Sequence, residues 1–274
     1  MSSVAATPAK DDPLTLISIS ALGYIVPDIL HEGLGHGVTA WLSGAQTLSI
    51  STVALQSDIG TRWISANGTL VNLVTAAILW MLLHKPQRYS PQLHYFLALA
   101  LAASLFTGTG YFFYSGVANF GDWAAVIAGL QPHWLWRLGL VVIGAASYYA
   151  SMLLVRAKML PFREPDPASR RIRALCWIPY VSEGILAGVS GLLNPLGLFY
   201  VFSAALSSSL GANAGLLALP GMMRVGPGSE PKSGPIADIS PVAPIRRSIA
   251  WIVTGAIASL VFIFVLGRGL TWSR

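Results

Sequence analysis

Residues 14–42 read LTLISISALGYIVPDILHEGLGHGVTAWL. Apolar side chains dominate until Pro27 and Asp28, and the run then passes without a break into His31-Glu32-Gly33-Leu34-Gly35-His36. About 20 mostly apolar residues in a helix cross the hydrocarbon core of a bilayer. The stretch is therefore read as a membrane helix that carries ionisable groups at its end. A cleaved signal peptide is not expected, because no small-residue cleavage site follows the apolar part.

Outward from this run, the rest of the sequence repeats the membrane pattern. Residues 64–83, 92–114, 134–155 and 249–266 are apolar and long enough to span, residues 174–193 qualify apart from Glu183, and residues 197–219 qualify with many Gly and Ser. That makes seven hydrophobic segments, with residues 120–131 left as a half-helix or re-entrant piece. Composition agrees: of 274 residues 54% are hydrophobic and only 10% charged, with a mean hydropathy of +0.63. A soluble domain carries about 25% charged residues, so a soluble enzyme, a disordered chain and a disulfide scaffold are excluded. The single Cys176 allows neither an internal disulfide nor a cysteine zinc site. The fold class expected is an all-α polytopic membrane protein with about six to seven transmembrane helices.

The net charge is +6, but its basic residues lie between apolar segments, which points to topology and anionic lipid headgroups and not to nucleic acid. Residues 156–173 form a basic loop, and residues 220–247 a Pro/Gly-rich one. If both loops share a side with the N-terminus, that side holds 13 of the 17 basic residues. The positive-inside rule then makes it the cytoplasm, in a multi-pass protein of the cell (inner) membrane. The organisation expected is a polar tail at 1–13, a membrane core at 14–131 and C-terminal helices at 132–274.

Charged groups within a membrane cost roughly 2.5–3.5 kcal/mol each on insertion scales and mark partners, metals or water-filled cavities. Asp28, His31, Glu32, His36, Asp122 and Glu183 are the ones in or beside apolar segments. In soluble metalloproteases, histidines four apart on a helix ligate zinc and the Glu after the first acts on water. Here the histidines are five apart, which on an α-helix turns them about 140° from each other. A one-residue π-bulge, made easy by Gly33 and Gly35, returns them to one face. Alternatively, Asp28, Glu32 and His36 share one α-helical stripe. Spacing supports a metal site without choosing between these ligand sets.

HEGLGHGVTAWLSGAQTLSIS, with one residue inserted, resembles the first motif of the site-two-protease family of intramembrane zinc metalloproteases. Gly35 before His36, Leu42-Ser43-Gly44 and the strand-like alternation in 47–55 follow that family's order. Ala66-Asn67-Gly68-Thr69-Leu70-Val71-Asn72 is similar to its A-G-P-x-x-N segment, with Thr69 in place of the proline. The family's L-D-G motif is absent, and Asn119-Phe120-Gly121-Asp122-Trp123 stands in for it, 86 residues after His36. The resemblance covers about residues 20–125.

The resemblance implies a protease-like core in which His31, His36 and Asp122 hold Zn2+ and Glu32 is the general base. It gives Asn72 and Gly68 a place beside the substrate or oxyanion. Asp28 and Glu183 are candidates for supporting roles behind the ligands. The function implied is zinc-dependent hydrolysis of peptide bonds in transmembrane protein or peptide substrates, within the lipid bilayer. Two alternatives stand beside it: an inactive homologue that binds membrane partners, motivated by the histidine spacing, and a transporter, motivated by Glu183. Asp122 also has a plain reading as a helix N-cap.

Overall fold

The computed structural model describes residues 10–85, 88–163, 170–223 and 242–273. Most of the polar tail at 1–13, the middle of the basic loop 156–173 and most of the loop 220–247 lie outside the described residues. Among the described residues, seven helical segments are long and apolar enough to cross a membrane: Pro13–Leu42, Arg62–Leu82, Pro91–Ala118, His133–Phe162, Arg170–Leu192, Leu198–Met222 and Ile249–Leu266.

The first segment comprises α1 (Pro13–Ile29), a π-helical turn (Leu30–Gly37) and α2 (Val38–Leu42). Asp12 caps its start, accepting a 2.9 Å hydrogen bond from Thr15 N–H, with Pro13 in the first turn where no backbone donor is needed. A hairpin follows, β1 (Thr47–Ile50) and β2 (Leu55–Ser57), antiparallel with Leu48 opposite Ser57. Asp58 closes its base by accepting from the backbone of Thr47 and Gln46, which holds its carboxyl below the usual range. Thr61 then caps α3 (Arg62–Leu82), and Ser90 with Pro91 starts α4 (Pro91–Ala118). The short α5 (Asp122–Ile127) precedes α6 (His133–Met159), α7 (Arg170–Leu192) and α8 (Leu198–Tyr200). The sixth span continues from α8 through π-helical and 3₁₀ turns into α9 (Gly215–Met222). Last come α10 (Ile249–Val261) and β3 (Leu270–Ser273), which pairs antiparallel with β1 and completes a sheet of order β2-β1-β3.

The stretch 120–131 does not cross. Six residues of α5 are too short to span, and the chain turns back after them into α6. The strand-like stretch after the first motif is β1 and β2, and its third strand arrives from the end of the chain.

Helix α4 is apolar on every side, and 67% of its most apolar window is buried against 11% for α10. It is therefore the central helix, packed on α1, α3 and α6. Small residues allow the close α4–α6 crossing: a Cβ on Gly116 would meet the Arg137 carbonyl at 2.8 Å, and one on Gly144 would overlap the Phe113 backbone. The exposed apolar residues of α6 and α10, such as Val142, Ile143, Ile257 and Leu260, form an outer face suited to lipid.

Candidate metal centre

The site begins with the run of backbone that the extra residue of the first motif demands. Over Leu30–Gly37 the helix widens to i→i+5 hydrogen bonding, so residues five apart fall on one face. His31 and His36 therefore stand together, with ring centroids 4.7 Å apart and an interplanar angle of 84°. Gly33 faces open space, while a Cβ on Gly35 would lie 2.5 Å from Gly68 Cα. The glycine before the second histidine thus lets α3 pass directly beneath the histidines. Thr39 holds this crossing, donating to the Gly35 carbonyl at 2.6 Å and accepting from Asn67 Nδ2 at 2.8 Å.

The third member comes from α5, which is docked on α3. Trp123 Nε1 donates to Thr69 Oγ1 at 3.0 Å, and Arg62 donates to the Ala128 carbonyl at 2.9 Å. Gly121, at φ +85°, turns the chain into the helix and takes the cap position itself. The Asp122 carboxylate is thereby free to face the histidines instead of capping its own helix. Its Oδ2 lies 3.2 Å from His31 Nε2 and 3.4 Å from His36 Nε2, and the two Nε2 atoms are 3.1 Å apart.

The structure thus brings His31, His36 and Asp122 together as a buried group able to hold a metal ion. Ligands about 2.0–2.1 Å from a tetrahedral zinc lie about 3.3–3.4 Å from one another. The three observed edges of 3.1, 3.2 and 3.4 Å match that triangle closely. A point about 2 Å from all three atoms exists, roughly 0.8 Å out of their plane.

Proton bookkeeping points the same way. His36 Nδ1 is 2.6 Å from the Ile64 carbonyl and must carry a proton to donate to it, which in the neutral imidazole leaves the lone pair on Nε2. His31 Nδ1 meets the Asn72 side-chain amide at 3.1 Å, and its Nε2 joins the same triangle. Asp122 Oδ2 is buried and faces the two Nε2 atoms. Three such atoms at these distances need a shared proton or a bound cation among them, and each imidazole has an outer partner on its far nitrogen, an arrangement that also orients metal-binding histidines.

Glu32, next to His31, is buried with Oε2 unpartnered. With His36 and Asp122 it lines a cleft of about 440 Å³. Residues 53–57 of the hairpin line it, as do Tyr111, Tyr114, Phe120 and Tyr200.

Asn72, expected from the sequence beside the substrate, is buried with His31 as its partner. A Cβ on Gly68 would collide with both imidazoles. Asp28 and Glu32 both line a second, smaller cavity that also reaches His31 and Tyr24. Glu183 is buried on α7 and lines neither cavity. Tyr111, which stacks on His31 at 5.2 Å and 18°, escaped the sequence reading, since nothing distinguishes it from the other aromatics of an apolar run. The hairpin lining was legible only as a strand.

No protein-family model matches the chain, and neither a curated protein nor a solved structure matches it.

Proposed function

We propose that this membrane protein is a zinc-dependent peptidase that hydrolyses peptide bonds of membrane-protein substrates. The observation that carries the reading is the near-equilateral triangle of His31 Nε2, His36 Nε2 and Asp122 Oδ2, with Glu32 beside it at the head of a cleft. Two nitrogens and a carboxylate oxygen beside a cleft are a donor set that would suit catalytic zinc. Bound there, zinc supplies a Lewis acid for a water and a peptide carbonyl.

The chain's own residues do the rest. Glu32 takes a proton from the attacking water at its carboxylate and returns it to the leaving amine nitrogen. The Ile64 carbonyl and Asn72 fix the two imidazoles, so the lone pairs stay aimed. The cleft admits water to a depth where lipid would exclude it. β2 is an edge strand along that cleft, and an extended, unwound segment of substrate can lie against its backbone. Apart from Glu32, His36 and Asp122, the side chains lining the cleft are apolar, hydroxyl or amide, which favours uncharged segments.

The test is to purify the protein, count its zinc and assay cleavage of a single-span reporter. Wild type should hold one zinc per chain, and His36→Ala and Asp122→Ala should lose it. Glu32→Gln should keep zinc and cleave about 10²–10⁴-fold more slowly. Cleavage by Glu32→Gln at the wild-type rate would end the peptidase reading.

A further inference from the structure

The ends of the seven spans are tied into two faces, and the cleft belongs to one of them. On the first face, Arg171 at the start of α7 pairs with Asp11 at 2.9 and 3.1 Å, and Asp11 also accepts from Ile245 N–H at 2.7 Å. Lys158, in the last turn of α6, donates to the Leu83 carbonyl beyond α3 at 3.0 Å. Gln92 at the start of α4 donates to the Arg246 carbonyl at 3.1 Å, and Arg156 to the Met222 carbonyl at the end of α9 at 2.9 Å. Every span has one end here.

The second face carries the sheet. There the chain leaving the first span pairs with the chain leaving the last, through β1 and β3. Arg137 of α6 donates to the Gly116 carbonyl at 2.9 Å, and Phe120 packs against Phe199 at 5.6 Å. The cleft is rimmed by residues from these connections, including Ile59, Gly60 and Gly121. His31 follows Pro13 by 18 residues, which puts it about 27 Å along a helix crossing a core of about 30 Å.

Charge divides between the faces in the same way. Of the 14 basic residues described, 11 lie at the first face, and only Arg62, Arg137 and Arg268 belong to the second. Lys and Arg flanking spans are retained on the cytoplasmic side. We propose that the cleft opens at the extracytoplasmic face, and that its substrates are membrane proteins whose cleavable segment lies at the extracytoplasmic end of a span. The substrate half of this statement rests on the peptidase reading, and the orientation half does not.

Thiol labelling in bacterial spheroplasts tests the orientation without any activity. Cys176 is fully buried, which keeps the background low. Gln46→Cys, before β1, and Gly60→Cys, at the cleft rim, should react with a membrane-impermeant maleimide at least tenfold faster than His84→Cys at the basic face. His84→Cys should react only after permeabilisation. Labelling of His84→Cys in intact spheroplasts, or protection of Gln46→Cys until lysis, overturns the proposal. Gln46→Cys suffices if Gly60→Cys fails to accumulate. An inactive protein with the expected labelling pattern would count against hydrolysis alone.

Discussion

Gly68 of α3 and His31 stand so close that a Cβ on Gly68 would lie 2.6 Å from His31 Nε2, and the same Cβ would overlap His36 Nε2. The absence of a side chain at Gly68 is therefore part of what lets the two histidines converge. Gly68→Ala should drive the imidazoles off the triangle and weaken zinc binding by more than tenfold. The helix itself should survive, since Ala is favoured over Gly in a helix interior by about 1 kcal/mol. Zinc content with a thermal melt distinguishes these effects. Wild-type zinc affinity in Gly68→Ala would contradict the packing described.

Asn72 offers a second handle on the same histidine. For His31 to direct a lone pair from Nε2, its Nδ1 must carry the proton and needs an acceptor. Asn72 Oδ1 is buried without a partner in its present orientation, and turning the amide over presents it to Nδ1. Asn72→Asp retains an acceptor and should bind zinc nearly as wild type does. Asn72→Leu removes it and should weaken zinc about 10–100-fold, the usual cost of losing an outer partner. Equal affinities in the two variants would remove Asn72 from this role.

The Asp11–Arg171 pair should matter for stability and not for metal. Both side chains are largely buried, and Arg171 also donates to the Val242 and Ala243 carbonyls at 2.8 and 3.0 Å. Asp11→Ala removes the two Arg171–Asp11 hydrogen bonds and leaves Ile245 N–H without this acceptor. The cost should be about 1–3 kcal/mol, the usual range for losing charge-assisted hydrogen bonds. A lowered melting temperature with one zinc still bound per chain is the expected result. An unchanged melt would mean that the loops on this face hold α1 without the pair.

Much of the fold was legible because lipid imposes its own arithmetic. Segments such as 249–266 announce themselves by length and apolarity, and the long, capped α4 announces itself similarly. Asp122 stood out for the same reason, as a carboxylate where lipid forbids one. The sequence did not reveal β3, because four residues with every side chain exposed leave no burial pattern to read. Nor did it reveal what Asn72 and Gly68 touch. A small or polar residue on a membrane helix reports that something is close, and only the packing of α3 beneath the π-helical turn says what. Between Asp28 and His31 as members of the metal group, spacing was neutral; the π-helical turn decided for His31.

That turn makes one further outcome calculable. A π-bulge stores a single extra residue while leaving the helices on either side in their own phase. Gly33 lies within the turn, and a Cβ there would meet nothing within 4 Å. Deleting Gly33 should therefore collapse the turn to an ordinary α-helix, with the histidines four apart and still on one face. α2 and the hairpin beyond it should keep their positions, because the residue removed is the one the bulge absorbed. The deletion variant should bind one zinc per chain with affinity within a few-fold of wild type. A two-residue deletion of Gly33 and Leu34 should rotate α2 by about 100° out of phase with α3 and the hairpin. It should weaken binding far more than the single deletion does, although histidines three apart still share a helix face. Loss of zinc on removing Gly33 alone, in a protein that still melts cooperatively, would show that the widened turn does more than accommodate the spacing of the two histidines.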